Sequence, residues 1–122
     1  RACYRQAYAR DPTYPYALGN YILLILRDDP RSEVIDNFRG SLRSAIRRCH
    51  EQIDVKINLP WAYFDLGLFK MLLGEPEAAI SAYRFGKGLA SEEWMLGTAK
   101  RALEDGKDVG LEGYDEIIKL LG

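Results

Sequence analysis

Apolar side chains recur at every third or fourth position along most of this chain, and the strict alternation typical of strands is almost absent. This spacing predicts an all-α protein with about six to seven helices. The predicted helices lie at about residues 2–10, 14–26, 30–54, 60–74, 75–86, 91–105 and 111–121. At 122 residues with 48% hydrophobic side chains, the chain is expected to form one domain, spanning residues 1–122, with a real core.

Proline, glycine and capping residues mark the predicted helix boundaries. The segment 28–30, Asp-Asp-Pro, ends one helix because proline disfavours the helical conformation in the residue before it. Ser91, followed by two glutamates, is the expected cap of a later helix. The glycines at 86 and 88 are interpreted as the end of the helix that precedes it.

Small and large side chains occur at specific spacings in residues 59–90, LPWAYFDLGLFKMLLGEPEAAISAYRFGKGLA. Gly67 and Ala79 lie at offsets that suit the close approach of two antiparallel helices, with aromatic and aliphatic residues filling the space around them. This pattern resembles a tetratricopeptide repeat, a helical hairpin of about 34 residues. The resemblance is good at about residues 60–90, and the flanking repeats are degenerate.

The resemblance implies a right-handed stack of antiparallel hairpins with a concave groove lined by the first helix of each hairpin. It implies a protein-interaction or scaffolding module that binds a peptide or a helix in this groove. Arg27 and Asn20 are expected to supply the directional contacts to the partner. The candidate partner-binding residues are Tyr16, Asn20, Leu23, Arg27, Trp61, Phe64, Asp65, Leu68 and Met71.

The repeat is irregular outside its central unit. Gly19 and Gly67 are 48 residues apart and Gly67 and Gly97 are 30 apart, against a period of about 34. The extra length falls in the helix at 30–54 and in the segment VKINLP that follows it. The chain begins with Arg1 at what looks like the second helix of a hairpin, so we expect it to be part of a longer protein.

The sequence leaves three questions open, on the groove, on the type of module and on self-association. The groove is either available to a partner or filled by the chain itself, through the last helix or the helix at 30–54. The module either binds partners directly or is a non-catalytic appendage that positions substrate or stabilises the catalytic domain of a multidomain enzyme. Self-association is a third possibility, through the open end near residues 2–8.

Charge and cysteine content narrow the class of function. The 17 basic and 18 acidic residues balance, which argues against a nucleic-acid partner. The longest apolar run, residues 21–26, is far too short to cross a bilayer. Cys3 and Cys49 fall in predicted helices and are interpreted as free thiols, which favours a cytoplasmic location.

Few residues suggest catalysis or metal binding. His50 is the only histidine, and its neighbour Cys49 points about 100° away from it around a helix, so the two are not expected to share a metal ion. Phosphate-binding loops, nucleophile elbows and dinucleotide fingerprints are absent from the sequence. We therefore expect no enzyme activity, no cofactor and no metal. Arg39, Arg43, Arg47 and Arg48 form a basic ridge that is either an anion-recognition surface or a solvated helix face.

Overall fold

The computed structural model describes residues 15–29 and 32–122. That part of the chain forms six α-helices and one 3₁₀ turn, with no strand, so the all-α prediction is confirmed. The elements are α1 (Pro15–Asp28), α2 (Ser32–Asp54), α3 (Trp61–Leu72), α4 (Pro76–Leu89), α5 (Glu93–Ala102), the 3₁₀ turn (Glu104–Gly106) and α6 (Tyr114–Leu121). The helix predicted at residues 2–10 lies outside the described residues.

Helices α3 and α4 form a tightly packed antiparallel hairpin. Gly67 on α3 lies so close to α4 that an added Cβ would come within 2.4 Å of the Tyr83 ring and 3.2 Å of the Ala79 carbonyl oxygen. Nearer the start of α3, Phe64 lies against Gly86, nearer the end of α4. Because the contacts run in opposite order along the two helices, the helices are antiparallel, and the predicted close approach at Gly67 and Ala79 is confirmed.

Helices α1 and α2 pack against one side of this hairpin. The rings of Tyr21 and Phe38 meet edge to face, with centroids 6.0 Å apart, and join α1 to α2. On α2, Leu42 and Cys49 are fully buried, so one face of this helix lies in the core. On α1, Gly19 lies directly against the Leu68 side chain of α3.

The extra length predicted between Gly19 and Gly67 falls in α2 and in its connection to α3. Lys56 and Asn58 adopt positive φ angles of 59° and 56°, and the Leu59–Pro60 peptide bond is cis. Between and beside them, Val55 and Ile57 are exposed by 66% and 55%. This loop, together with the 23 residues of α2, accounts for the extra length that the sequence places here.

The C-terminal elements pack against α4 and also return to α1. Gly113 lies against Pro76 at the start of α4, and Lys87 at its end donates a hydrogen bond to the Leu120 carbonyl, at 2.8 Å. Helix α6 therefore runs parallel to α4.

The 3₁₀ turn contacts α1, where Gly106 meets the Leu23 side chain. In the described part of the chain, no helix is long and apolar enough to cross a membrane.

Two local predictions are corrected by the structure. The N-cap of α5 is Glu92 rather than Ser91, and the Glu92 carboxylate accepts a hydrogen bond from the Trp94 indole. Helix α4 does not end at Gly86 but continues to Leu89. Gly86 is buried against the Phe64 ring, so it serves close packing rather than helix termination.

Candidate functional site

Most of the predicted groove residues lie in the interior of the molecule. The side chains of Leu23, Phe64, Leu68 and Met71 are between 1% and 6% exposed. The elements that lie over this face are α5 and the 3₁₀ turn. The chain itself thus covers much of the groove, in part through α5 and the 3₁₀ turn.

A small pocket remains between α1, α3 and α5. Its volume is about 60 Å³, which is room for on the order of four water molecules. Three of its lining residues, Trp61, Thr98 and Ala102, are only half-buried, so the pocket opens to solvent between α3 and α5. Such a space accepts the end of one side chain and not a peptide backbone. The pocket is lined by Asn20, Trp61, Phe64, Asp65, Leu68, Tyr83, Thr98, Ala99, Ala102 and Leu103.

Asp65 is the one carboxylate in the lining of this pocket. Within the described residues, its carboxylate takes part in no hydrogen bond or ion pair, and the surrounding walls are mostly apolar. Because the ionised form loses hydration there, burial raises the pKa of Asp65 from 3.8 to about 7. Near neutral pH this carboxylate is therefore close to half ionised.

Two neighbouring groups stay neutral under the same conditions. Burial, and then the nearby Asp65 charge, raise the pKa of the Cys49 thiol and of the Tyr83 hydroxyl well above their ordinary values. Cys49 is a free, fully buried thiol, and in this protonated form it is a poor nucleophile. Asp65 is therefore the group of this cluster that changes charge near pH 7.

Four aromatic rings form a continuous row from the surface to the core beside Asp65. Trp94 is 55% exposed, and its ring centroid lies 6.0 Å from that of Trp61. Trp61 meets Phe64 at 5.9 Å, and Phe64 stacks on the buried Tyr83 at 5.7 Å. The mouth of the pocket is thus flanked by two tryptophans, and its wall is aromatic.

The two polar candidates on α1 occupy different surroundings. The Arg27 guanidinium forms an ion pair with Asp105 of the 3₁₀ turn, at 2.8 Å, and this contact raises the pKa of Arg27. Arg27 therefore ties the 3₁₀ turn to α1. Asn20 is 8% exposed and lines the pocket. The side chain of Tyr16 lies outside the described part of the structure.

The sequence reading missed the contribution of α5. Its residues Thr98, Ala99 and Ala102, which line the pocket, were not among the predicted groove residues. The available signal was the pair of small residues three positions apart, Ala99 and Ala102, which leave space on one face of α5. That face is the one that lines the pocket.

The basic ridge of α2 lies elsewhere on the surface. Arg39, Arg43 and Arg47 are exposed, and Arg39 forms an ion pair with Asp36 at 2.9 Å. None of the three lines the pocket. Over residues 15–29 and 32–122, no group of three or more histidine, cysteine and acidic side chains is placed to hold a metal ion.

Comparisons with known proteins do not assign this chain to a family. No protein-family model matches it, and neither does any curated protein or solved structure.

Proposed function

We propose that this chain is a non-catalytic interaction module, similar to tetratricopeptide repeats, that binds a protein segment across the mouth of the pocket between α1, α3 and α5. The antiparallel α3–α4 hairpin and the parallel course of α4 and α6 support a stack of hairpins of this kind, and its right-handed sense is what the resemblance implies. The free thiol of Cys49 fits a reducing, cytoplasmic environment.

One observation carries the proposal, the pair of tryptophans at the pocket mouth. Trp94 leaves more than half of its surface in water although it is among the largest apolar side chains. Trp61 lies against it and lines the pocket. Tryptophan is enriched among the residues that dominate binding energy, particularly beside a pocket that a partner side chain can fill.

Phe64 and Leu68 are less suitable as probes of binding. Both belong to the hydrophobic core, so truncating them would weaken the fold together with any binding. Trp94 is the better probe because it is 55% exposed and lies outside the hydrophobic core.

The test is a peptide-display selection with the intact chain, followed by affinity measurements on the enriched peptides. We expect Trp94→Ala to weaken the binding of these peptides at least tenfold, which is typical of a central interface residue. The matched control is Phe85→Ala, which removes an aromatic side chain that is 63% exposed and lies outside the pocket lining. The control should bind the same peptides as the unmodified chain.

Two results would contradict the proposal. One is a selection that enriches no sequence above background. The other is a set of enriched peptides that lose affinity with Phe85→Ala and keep it with Trp94→Ala. Circular dichroism of both variants would show that each retains its helical content.

A further inference from the structure

The Asp65 carboxylate lies in surroundings that leave it incompletely solvated. No described donor pairs with it, and the pocket that it lines is mostly apolar. Burying a charge without a partner costs several kcal/mol, and a cation brought into the same pocket offsets that cost. The charge that complements this site is therefore positive.

The walls of the pocket favour the same kind of ligand. Trp61, Phe64 and Tyr83 are all in its lining, together with Asp65. The faces of aromatic rings attract cations, most strongly when water is excluded. Aromatic walls and a carboxylate therefore act in the same direction on a ligand that combines an apolar stem with a charged end.

The size of the pocket selects among the cationic side chains. A volume of about 60 Å³ admits a compact ammonium group with its last methylene groups. The planar guanidinium of arginine is wider and carries five donors, of which a single carboxylate satisfies only part. Lysine presents a point charge at the end of a slender chain.

We propose that the pocket beside Asp65 receives the ammonium end of a lysine side chain, carried by the protein segment that docks across the Trp61–Trp94 mouth. This assignment rests on the proposed function only for the origin of the lysine. The lysine stem lies along the aromatic row, and its ammonium group donates a hydrogen bond to the Asp65 carboxylate.

Binding of this kind depends on pH through Asp65. Among the described residues, the other ionisable groups near Asp65 are Cys49 from α2 and Tyr83 from α4, and their raised pKa values keep both neutral around neutral pH. The residues of α1 and α5 that line the pocket are the uncharged Asn20 and Thr98 and small or apolar side chains. The lysine ammonium group stays charged from about pH 5.5 to about pH 8.5. With a pKa of about 7, Asp65 is almost fully ionised at about pH 8.5 and only a few per cent ionised at about pH 5.5, so affinity should differ about 30-fold between the two.

The experiment titrates the intact chain with N-acetyl-lysine methylamide and follows the indole and carboxyl NMR signals. The neutral control probe is N-acetyl-norleucine methylamide, which has the same apolar stem without the ammonium group. We expect a saturable response of the Trp61 indole to the lysine probe at about pH 8.5 and a response at least tenfold weaker at about pH 5.5. The pKa of Asp65, read from its carboxyl signal, should fall when the lysine probe is bound.

Asp65→Asn supplies the matched variant, since it keeps the shape of the side chain and removes its charge. It should lower the affinity for the lysine probe at least tenfold and abolish the pH dependence. The pH series on the unmodified chain tests the same point without any substitution.

Three outcomes would overturn the inference: no saturable response to the lysine probe, equal binding of the norleucine probe, or tighter binding of N-acetyl-arginine methylamide. These outcomes are separate from those that test the docking function. If the lysine probe fails while Trp94→Ala still disrupts selected peptides, the docking face stands and the lysine assignment falls. If the lysine probe binds while no peptide is enriched, the cation site stands and the docking function falls.

Discussion

Helix α3 has two faces that are built on opposite principles. On one face, Gly67 lets the Tyr83 ring of α4 approach until no space is left between the helices. On the other, Asp65 and Leu68 face α1 and α5 across a pocket of about 60 Å³. The two faces begin from residues only two positions apart in the sequence.

The two faces differ in how completely side chains fill the space between the helices. The α3–α4 contact fills its space with a ring against a glycine, which favours a single arrangement of the hairpin. The α3–α5 contact keeps space, places a carboxylate in it and flanks it with aromatic rings. The first face holds the fold together, and the second is the face on which we propose that a partner docks.

The largest expected effect comes from adding side-chain volume at Gly67, on the face of α3 that packs against α4. Gly67→Val would place a Cβ within 2.4 Å of the buried Tyr83 ring and 3.2 Å of the Ala79 carbonyl, and neither has room to move away. We expect a loss of unfolding free energy of about 3 kcal/mol or more, measured by urea denaturation.

The control is Gly40→Ala on α2, where an added Cβ meets nothing within 4 Å. That variant should gain up to about 1 kcal/mol, because alanine is the better helix former. Equal destabilisation by both substitutions would show that the α3–α4 contact is not specially tight.

A smaller effect is expected from the carboxylate on the open face. The folded-state pKa of Asp65, about 7, lies above the ordinary value of 3.8, so the folded state holds the proton more tightly than the unfolded state. Its contribution to stability is present below about pH 4 and is lost as the pH rises to about 7. The full shift corresponds to about 4 kcal/mol, and the remaining solvent contact of the side chain reduces this to on the order of 2 kcal/mol.

Asp65→Asn removes this pH-dependent cost. At about pH 8 the variant should be more stable than the unmodified chain, and at about pH 4 the difference should nearly vanish. Urea denaturation of both proteins across this range gives the measurement. A stability difference that stays constant with pH would contradict the raised pKa and weaken the contrast between the two faces.

The smallest effect is expected from the contact that ties the 3₁₀ turn to α1. The Arg27–Asp105 ion pair is partly exposed, so its contribution should be small and screened by salt. A double-mutant cycle with Arg27→Met and Asp105→Asn should give a weak coupling that declines as salt is added. A coupling that is insensitive to salt would place this pair among the rigid contacts of the α3–α4 kind.

The packing of α3 against α4 could be predicted well from the sequence because the residues that form it are close together in the chain. Gly67, Ala79 and Tyr83 sit at offsets that suit two adjacent helices, and a three-residue connection leaves those helices little choice but to pair. The apolar face of α6 also follows from local spacing, because Tyr114, Ile117 and Leu121 share one side of a helix, and all three are buried.

The open face was harder to predict because its determinants are distant in the chain. The volume beside Asp65 depends on where α5 lies relative to α3, and the contacts that hold this region are the Trp61–Trp94 ring contact and the contact of the 3₁₀ turn with α1. The same reason explains the error at Gly86, where a ring from α3 decides that a glycine stays inside a helix. Hydrophobic spacing identifies which residues are buried, but not which helix covers them.

The position of the two tryptophans has a practical consequence. They are the only ones in the sequence, and both stand at the mouth of the same pocket. Their ultraviolet emission therefore originates at this one place, close to a carboxyl group that changes ionisation near neutrality. An unlabelled sample in a spectrofluorimeter thus carries its own optical probe of occupancy and protonation at the pocket.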